Sequence, residues 1–267
     1  MTDVTILVDD RVGPMRPKGL QAEHGFSVAV DDVLFDTGQS GIAADNARRL
    51  GRPTAYDTIV LSHGHYDHTG GLPAFLPGAK RLYAHAGAFD PKLRDGGYIG
   101  NPYRRERIEA DVEVITHTDP VEVGDDIYAL GEVPRSYPDN PTGKTVDDDG
   151  NMVEDRILDD QSLAVDTDEG ILLICGCCHA GLRNTIEHAE SALDGTVRAV
   201  VGGTHLTAVD DETVHEIADW LEGRLDVIAP SHCTGADAER ILATRFPELF
   251  VSVGAGSELA YPEITDR

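Results

Sequence analysis

Lysine is scarce in this chain of 267 residues: only Lys18, Lys80, Lys92 and Lys144 occur. Positive charge as a whole is thin, with 22 Lys and Arg against 48 Asp and Glu and a formal net charge of -26. A field of that sign repels nucleic acid and anionic membrane surfaces at ordinary ionic strength. Long hydrophobic runs are missing too, and none approaches the roughly 20 apolar residues of a membrane-spanning helix. The first ten residues lack the basic start and long apolar stretch of a signal peptide. These absences predict a soluble, cytoplasmic protein that partners neither nucleic acid nor membrane. Cysteine is limited to four residues, three in Cys175-Gly176-Cys177-Cys178 and one at Cys233. That excludes a disulfide scaffold; thiols beside His residues read as reduced groups in or next to a metal site. No repeat, low-complexity tract or Pro/Ser-rich linker divides the chain, so residues 1–267 are expected to form one domain.

The acidity is spread along the whole chain and is not gathered in a tail. Scattered carboxylates with so little Lys predict a surface adapted to high salt, where screening to about 3 Å at 1 M suppresses self-repulsion. A halophilic source is the corresponding expectation.

The most informative segment is His63-Gly64-His65-Tyr66-Asp67-His68-Thr69-Gly70-Gly71, which follows the apolar stretch Thr58–Leu61. In an extended chain alternate side chains share a face, so His63 and His65 point the same way. Asp67 and His68 fall where the chain must turn and can aim back at the same space. Neutral imidazole with carboxylate suits zinc, iron, manganese or cobalt. This is a metal-site pattern.

Strand-like stretches recur at Val4–Val8, Phe26–Val30, Val33–Phe35, Thr58–Leu61, Arg81–Ala84, Val112–Ile115, Ile127–Ala129, Leu163–Val165, Ile171–Cys175, Val197–Val201 and Val227–Ala229. Helical spacing is found in Ile42–Leu50, Leu182–Leu193, Glu212–Leu221 and Ala236–Arg245. The second half alternates strand and helix, as layered α/β folds do. The interval 131–161, rich in Pro, Gly and Asp, is expected to be a long loop serving as a lid or substrate loop.

His63-x-His65-x-Asp67-His68 resembles the metal-binding signature of the metallo-β-lactamase fold superfamily, and Leu34-Phe35-Asp36-Thr37-Gly38 resembles its earlier Asp-bearing turn. The resemblance implies a four-layer αβ/βα sandwich with the metals at one edge between two mixed sheets. Cys175–Gly181, Gly202–Leu206 and Ser231–Gly235, with Ala22–Gly25 and Gly131–Arg135, resemble one branch of it, the dihydropterin-related or ribofuranosylaminobenzene 5'-phosphate synthase-like proteins. Two departures stand out. Hydrolases of this fold usually carry a mid-chain Gly-His, where this chain has Gly131-Glu132; they also carry a bridging Asp after a later strand, where Ile171–Cys175 runs into Gly176-Cys177-Cys178-His179. His179 or Cys177 is expected to replace the missing ligands.

His63 and His65 with a third donor would hold one metal, and Asp67, His68 and His232 a second. His232 and His179 both leave apolar strands, and sites gather at strand exits on one edge of an α/β sheet. His205, leaving its strand through Gly202-Gly203, is a candidate for substrate contact or ligation. Asp36 reads as a carboxylate orienting a ligating His. His24, Arg135 and Arg104 are candidates for substrate binding, the two Arg because a guanidinium fork grips phosphate or carboxylate. His85, His117, His188 and His215 read as structural or exposed.

The expected activity is metal-dependent hydrolysis of a small, anionic substrate, phosphorylated or pterin-like, with Asp67 orienting the nucleophile or taking its proton. One or two transition-metal ions are expected, zinc first, with iron or manganese as alternatives. A non-hydrolytic synthase or redox metalloprotein is the second reading, because thiolate donors favour softer metals. The oligomeric state is left open, a homodimer included.

Overall fold

The computed structural model describes residues 1–13, 15–147, 149–207 and 209–263. Two sheets face each other, and each carries helices on its outer side. The first has seven strands, in the spatial order Glu258–Tyr261, Thr2–Val8, Ser27–Val30, Val33–Phe35, Thr58–Val60, Arg81–Ala84, Glu113–Thr116. The second has six: Val227–Ser231, Val197–Gly203, Ile171–Cys175, Ser162–Val165, Ile127–Ala129, Val121–Gly124. Phe26, Phe35, Ile6 and Val60 of the first sheet meet Leu172, Ile174, Leu163 and Val201 of the second in the central core. A second apolar layer seats helices Leu182–Leu193, Asp211–Leu221 and Ala236–Arg245 on the second sheet. A third packs helix Ile42–Leu50 with Leu72 and Phe75 on the first. This is the expected αβ/βα sandwich.

Strand direction decides where chemistry can collect. Ile171–Cys175, Val197–Gly203 and Val227–Ser231 run parallel. Parallel neighbours need crossovers, supplied by helices Leu182–Leu193 and Asp211–Leu221, so all three strands end at one edge. Val33–Phe35, Thr58–Val60 and Arg81–Ala84 are likewise parallel. Their exits carry Asp36 and the His63–His68 segment, while the second sheet's exits carry Cys177, His179, His205 and His232. Asp36, Cys178, His205 and His232 take left-handed backbone angles with φ between 48° and 62°. Such angles are unfavourable for residues with a Cβ; here they turn the chain sharply as it leaves a buried strand.

The interval 131–161 is not a structureless loop. Lys144–Val146 pairs with Met152–Glu154, and Lys144 pairs with Leu93. With the hairpin Leu93–Arg94 and Gly97–Tyr98, turned by Asp95 and Gly96 at positive φ, these make a third, four-stranded sheet. The apolar spacing is too short to reveal strands of two and three residues, whose stability comes from pairing across distant segments. Asp148, in the acidic run at 147–149, lies outside the described residues.

Candidate metal centre

His63 and His65 flank Gly64, and that glycine is obligatory: a Cβ there would sit 2.4 Å from the Ala88 carbonyl oxygen. The Gly64 N–H is bonded to Asp159 Oδ2 at 2.7 Å. His65 opens the short helix Tyr66–Thr69, which brings Asp67 and His68 round to the same space. The His68 carbonyl accepts bonds from the Thr37 N–H and hydroxyl. This pins the helix to the Asp36 turn.

Two donor sets converge. His63, His65 and His179 are all buried and offer ligand atoms within 4.8 Å of one another; so do Asp67, His68 and His232. Asp67 Oδ2 lies 3.6 Å from His68 Nε2, 3.6 Å from His232 Nε2 and 3.5 Å from His24 Nε2. Cys177 groups with His63 and His68, and also with His232 and Cys233; its sulfur is 3.4 Å from His68 Nε2. Cys177 thus stands between the two sets, while His179 completes the first.

Outward hydrogen bonds hold His63, His68 and His232 by Nδ1, while His65 Nδ1 lies 2.8 Å from His63 Nε2. His68 Nδ1 lies 2.7 Å from Asp36 Oδ2, and His232 Nδ1 lies 2.8 Å from Asp10 Oδ1. Asp36 also accepts the Ser62 hydroxyl at 2.6 Å, and that oxygen lies 2.8 Å from His63 Nδ1. A carboxylate or hydroxyl on Nδ1 fixes the ring and the tautomer. His179 Nδ1 faces the Asn140 carbonyl at 3.3 Å. Nε2 of His65, His179 and His232 is buried with no hydrogen-bond partner among the described residues. Buried polar atoms are rarely left bare; a transition-metal cation in the first set would satisfy His65 and His179, and one in the second would satisfy His232.

Electrostatics favours the neutral, ligating form of His63, His65 and His179. Burial, reinforced by neighbouring imidazoles, pushes His63 and His179 well below the usual histidine range. Burial likewise lowers His65 to about 4. Neutral imidazole is the form that binds metal. Burial alone would raise Asp10, but its bonds with His232 and His24 outweigh it and hold the carboxyl well below the usual range. Burial and the adjacent Cys233 push the Cys177 thiol up. All four cysteines are free thiols.

The centre opens into a cavity of about 560 Å³ whose walls include Asp10, His24, His65, Asp67, Cys177, His179 and His232. Residues 28–156 match the family model of the metallo-β-lactamase superfamily. A crystal structure described as a metal-dependent hydrolase of the β-lactamase superfamily superposes with a TM-score of 0.87 at 31% identity, over 97% of this chain and 99% of that one. The chain belongs to the metallo-β-lactamase superfamily. An uncharacterised protein of Methanocaldococcus jannaschii is 35% identical over 246 residues, 88% of this chain and 91% of the relative. A second protein of the same organism is named 7,8-dihydropterin-6-methyl-4-(β-D-ribofuranosyl)-aminobenzene-5'-phosphate synthase. It is 27% identical over 282 residues, 96% of this chain and 95% of that relative.

Asp36 sits behind His68, its Oδ2 2.7 Å from Nδ1 of that ring. His205 stacks on His179 at 4.1 Å between ring centroids, but none of the convergent donor groups includes it. His24 reaches the centre beside Asp67. The two arginines are not brought to the cavity. Arg135 donates to the carbonyls of Arg156 and Ile157 and to Asp139, clamping both ends of the 131–161 segment together. Arg104 precedes helix Arg105–Glu109 outside the cavity lining. Arg94 lines it instead.

Sequence reading also passed over Ser62, Asp10 and the tripeptide Asp159-Asp160-Gln161. Asp159 holds Gly64, Asp160 Oδ2 accepts from the Ala180 N–H at 2.9 Å, and Gln161 Nε2 donates to the Leu61 carbonyl at 2.9 Å. Ser62 and Asp10 had a usable signal, since each follows an apolar strand at the edge where His63 emerges.

Proposed function

We propose that this chain is a metal-dependent hydrolase of a small anionic substrate, with His63, His65 and His179 holding one ion and Asp67, His68 and His232 a second. The observation that carries the reading is the convergence of these two sets, with bare buried Nε2 atoms, on one solvent-connected cavity. Zinc suits the histidine-dominated donor set best. Bound divalent metal lowers the pKa of water to about 7 and polarises a carbonyl or phosphoryl oxygen. The protein's own part is orientation and proton handling. Asp36 and Ser62 fix His68 and His63, while Asp10 fixes His232 and His24. Asp67 stands among three imidazoles, where its carboxylate can orient the attacking group and accept its proton. His24, half exposed with its pKa raised chiefly by the bond to Asp10, can return a proton to the departing group.

A second reading, a non-hydrolytic synthase or redox metalloprotein, is favoured by Cys177 in the place between the two sets and by the synthase name of one relative. Elemental analysis of anaerobically prepared protein, followed by ester, lactone and phosphodiester assays in high salt, separates the two. One or two equivalents of zinc with turnover supports hydrolysis. Iron content, colour and oxygen sensitivity without hydrolysis replaces it with the redox reading.

A further inference from the structure

Among the described residues, the Arg and Lys side chains that line the cavity are Arg11 and Arg94. Arg11 donates through Nε to the Val253 carbonyl and through Nη1 to Glu239, and its Nη2 is buried with no partner among the described residues. Among the described residues Arg94 has one ion pair, with its neighbour Asp95 at 3.8 Å, and its side chain is more than half exposed. It rides on the small hairpin Leu93–Arg94/Gly97–Tyr98, which is bolted down two residues earlier. Lys92 Nζ bonds Asp159 at 2.7 Å and Asp155 at 3.0 Å, and Asp159 in turn holds Gly64 between the two histidines. The start of the hairpin that carries Arg94 is therefore tied to the His63–His65 segment by buried polar contacts.

The same cavity receives the start of helix Ala236–Arg245. Its N-terminal residue is preceded by Gly235, and no side chain caps it. Gly235 and Ala236 both line the cavity. Gly235 must be glycine, because its φ is 82° and a Cβ would lie 2.9 Å from the Thr207 side chain. Uncapped helix N–H groups with the positive end of the helix dipole attract anions. His205 adds an independent sign of a ligand: it lines the cavity, is 9% exposed, and its Nδ1 has no hydrogen-bond partner among the described residues. Arg94, His205 and the helix start offer a fork of donors, an imidazole and backbone N–H groups beside the donor sets, in a protein otherwise dense in carboxylates.

We propose that Arg94, His205 and the N-terminus of helix Ala236–Arg245 form a phosphate subsite that grips the phosphate monoester of the substrate as a handle, while a different part of the molecule reaches the centre at Asp67. A dianionic, tetrahedral group with several acceptor oxygens can engage all three elements at once, and a guanidinium meets two of those oxygens together. This rests on the reading of the cavity as the substrate site and adds the substrate class: a phosphorylated small molecule whose phosphate is retained.

The test is calorimetric titration of the metal-loaded protein with phenylphosphonate, whose P–C bond does not hydrolyse, and with benzoate. Arg94→Gln and His205→Gln should each weaken phenylphosphonate binding about tenfold or more, as expected for a lost charge-assisted hydrogen bond. Metal content and thermal midpoint should stay unchanged in Arg94→Gln, whose side chain is exposed. Arg107→Gln, on the surface and paired with Asp111, should bind as the unmodified protein does. Phenylphosphonate binding that ignores Arg94 places the anion on the metals alone and overturns the subsite. Benzoate binding as tightly, with the same dependence on Arg94, overturns the phosphate assignment in favour of a carboxylate. Arg94-dependent binding in a protein that hydrolyses nothing upholds the subsite while the hydrolase reading falls, so the two failures are distinguishable.

Discussion

His179 is the residue on which the donor count turns. His63 and His65 alone fall short of the three protein ligands expected of catalytic zinc. Replacing His179 with Ala should therefore cost about one metal equivalent, or weaken binding far beyond the roughly 10–100-fold of an orienting residue, and elemental analysis with a chelator competition reads the difference. Cys177→Ser is the counterpart. Full metal at ordinary affinity in His179→Ala, with loss in Cys177→Ser, would make the thiolate the ligand. Asp36→Asn should fall in the intermediate class, because it loosens His68 and, through Ser62, His63 without removing a donor. The donors themselves were legible in the sequence, since imidazoles at strand exits carry their own chemistry. The groups behind them were not: Asp159 sits 95 residues beyond Gly64 and reads locally as the end of a polar loop. Arg135 and Arg94 exchanged roles for a similar reason. Which arginine reaches the cavity depends on a hairpin whose pairing partners are distant in sequence.

At the scale of elements, the small sheet is held to the body of the protein by Lys92, 3% exposed at its side chain, between Asp155 and Asp159. Removing one member of a buried ion cluster leaves uncompensated charge and costs about 3–5 kcal/mol. Lys92→Met leaves two such carboxylates, so chemical denaturation should show a loss in that range, together with weaker metal affinity through the loosened Gly64. A stability unchanged from the parent protein would show that the carboxylates find other partners. The strands Val33–Phe35, Arg81–Ala84, Ile127–Ala129 and Ile171–Cys175 and the helices Ile42–Leu50, Leu182–Leu193 and Ala236–Arg245 were readable to the residue, because each buries a periodic or continuous apolar set. The strands of the small sheet bury little; Met152 and Tyr98 are more than half exposed. With no apolar face to announce them, they left no periodic signal.

For the molecule as a whole, the imbalance of 48 acidic over 22 basic residues predicts that stability requires salt. Thermal midpoints recorded from low to multimolar KCl should rise as mutual repulsion is screened. A flat or falling curve removes the halophilic reading. Metal should act on the same curve: an ion that binds the folded state and not the unfolded one raises stability by mass action. Chelation should then lower the midpoint at every salt concentration, with recovery on adding zinc back.

One consequence of the two-sheet origin of the centre concerns the order in which the chain is made. His63, His65, Asp67 and His68 belong to the first sheet and leave the ribosome early, whereas His179 and His232 belong to the second and follow far behind. A growing chain therefore displays half a ligand set while its four thiols are still to come, three of them just ahead of His179 and one just after His232. Early metal would be free to recruit the wrong sulfur before the second sheet has formed. Under the proposed ligand assignment, correct loading would be a late event, completed once the sheets have met, and apo protein should accept its metal faster folded than during refolding from denaturant.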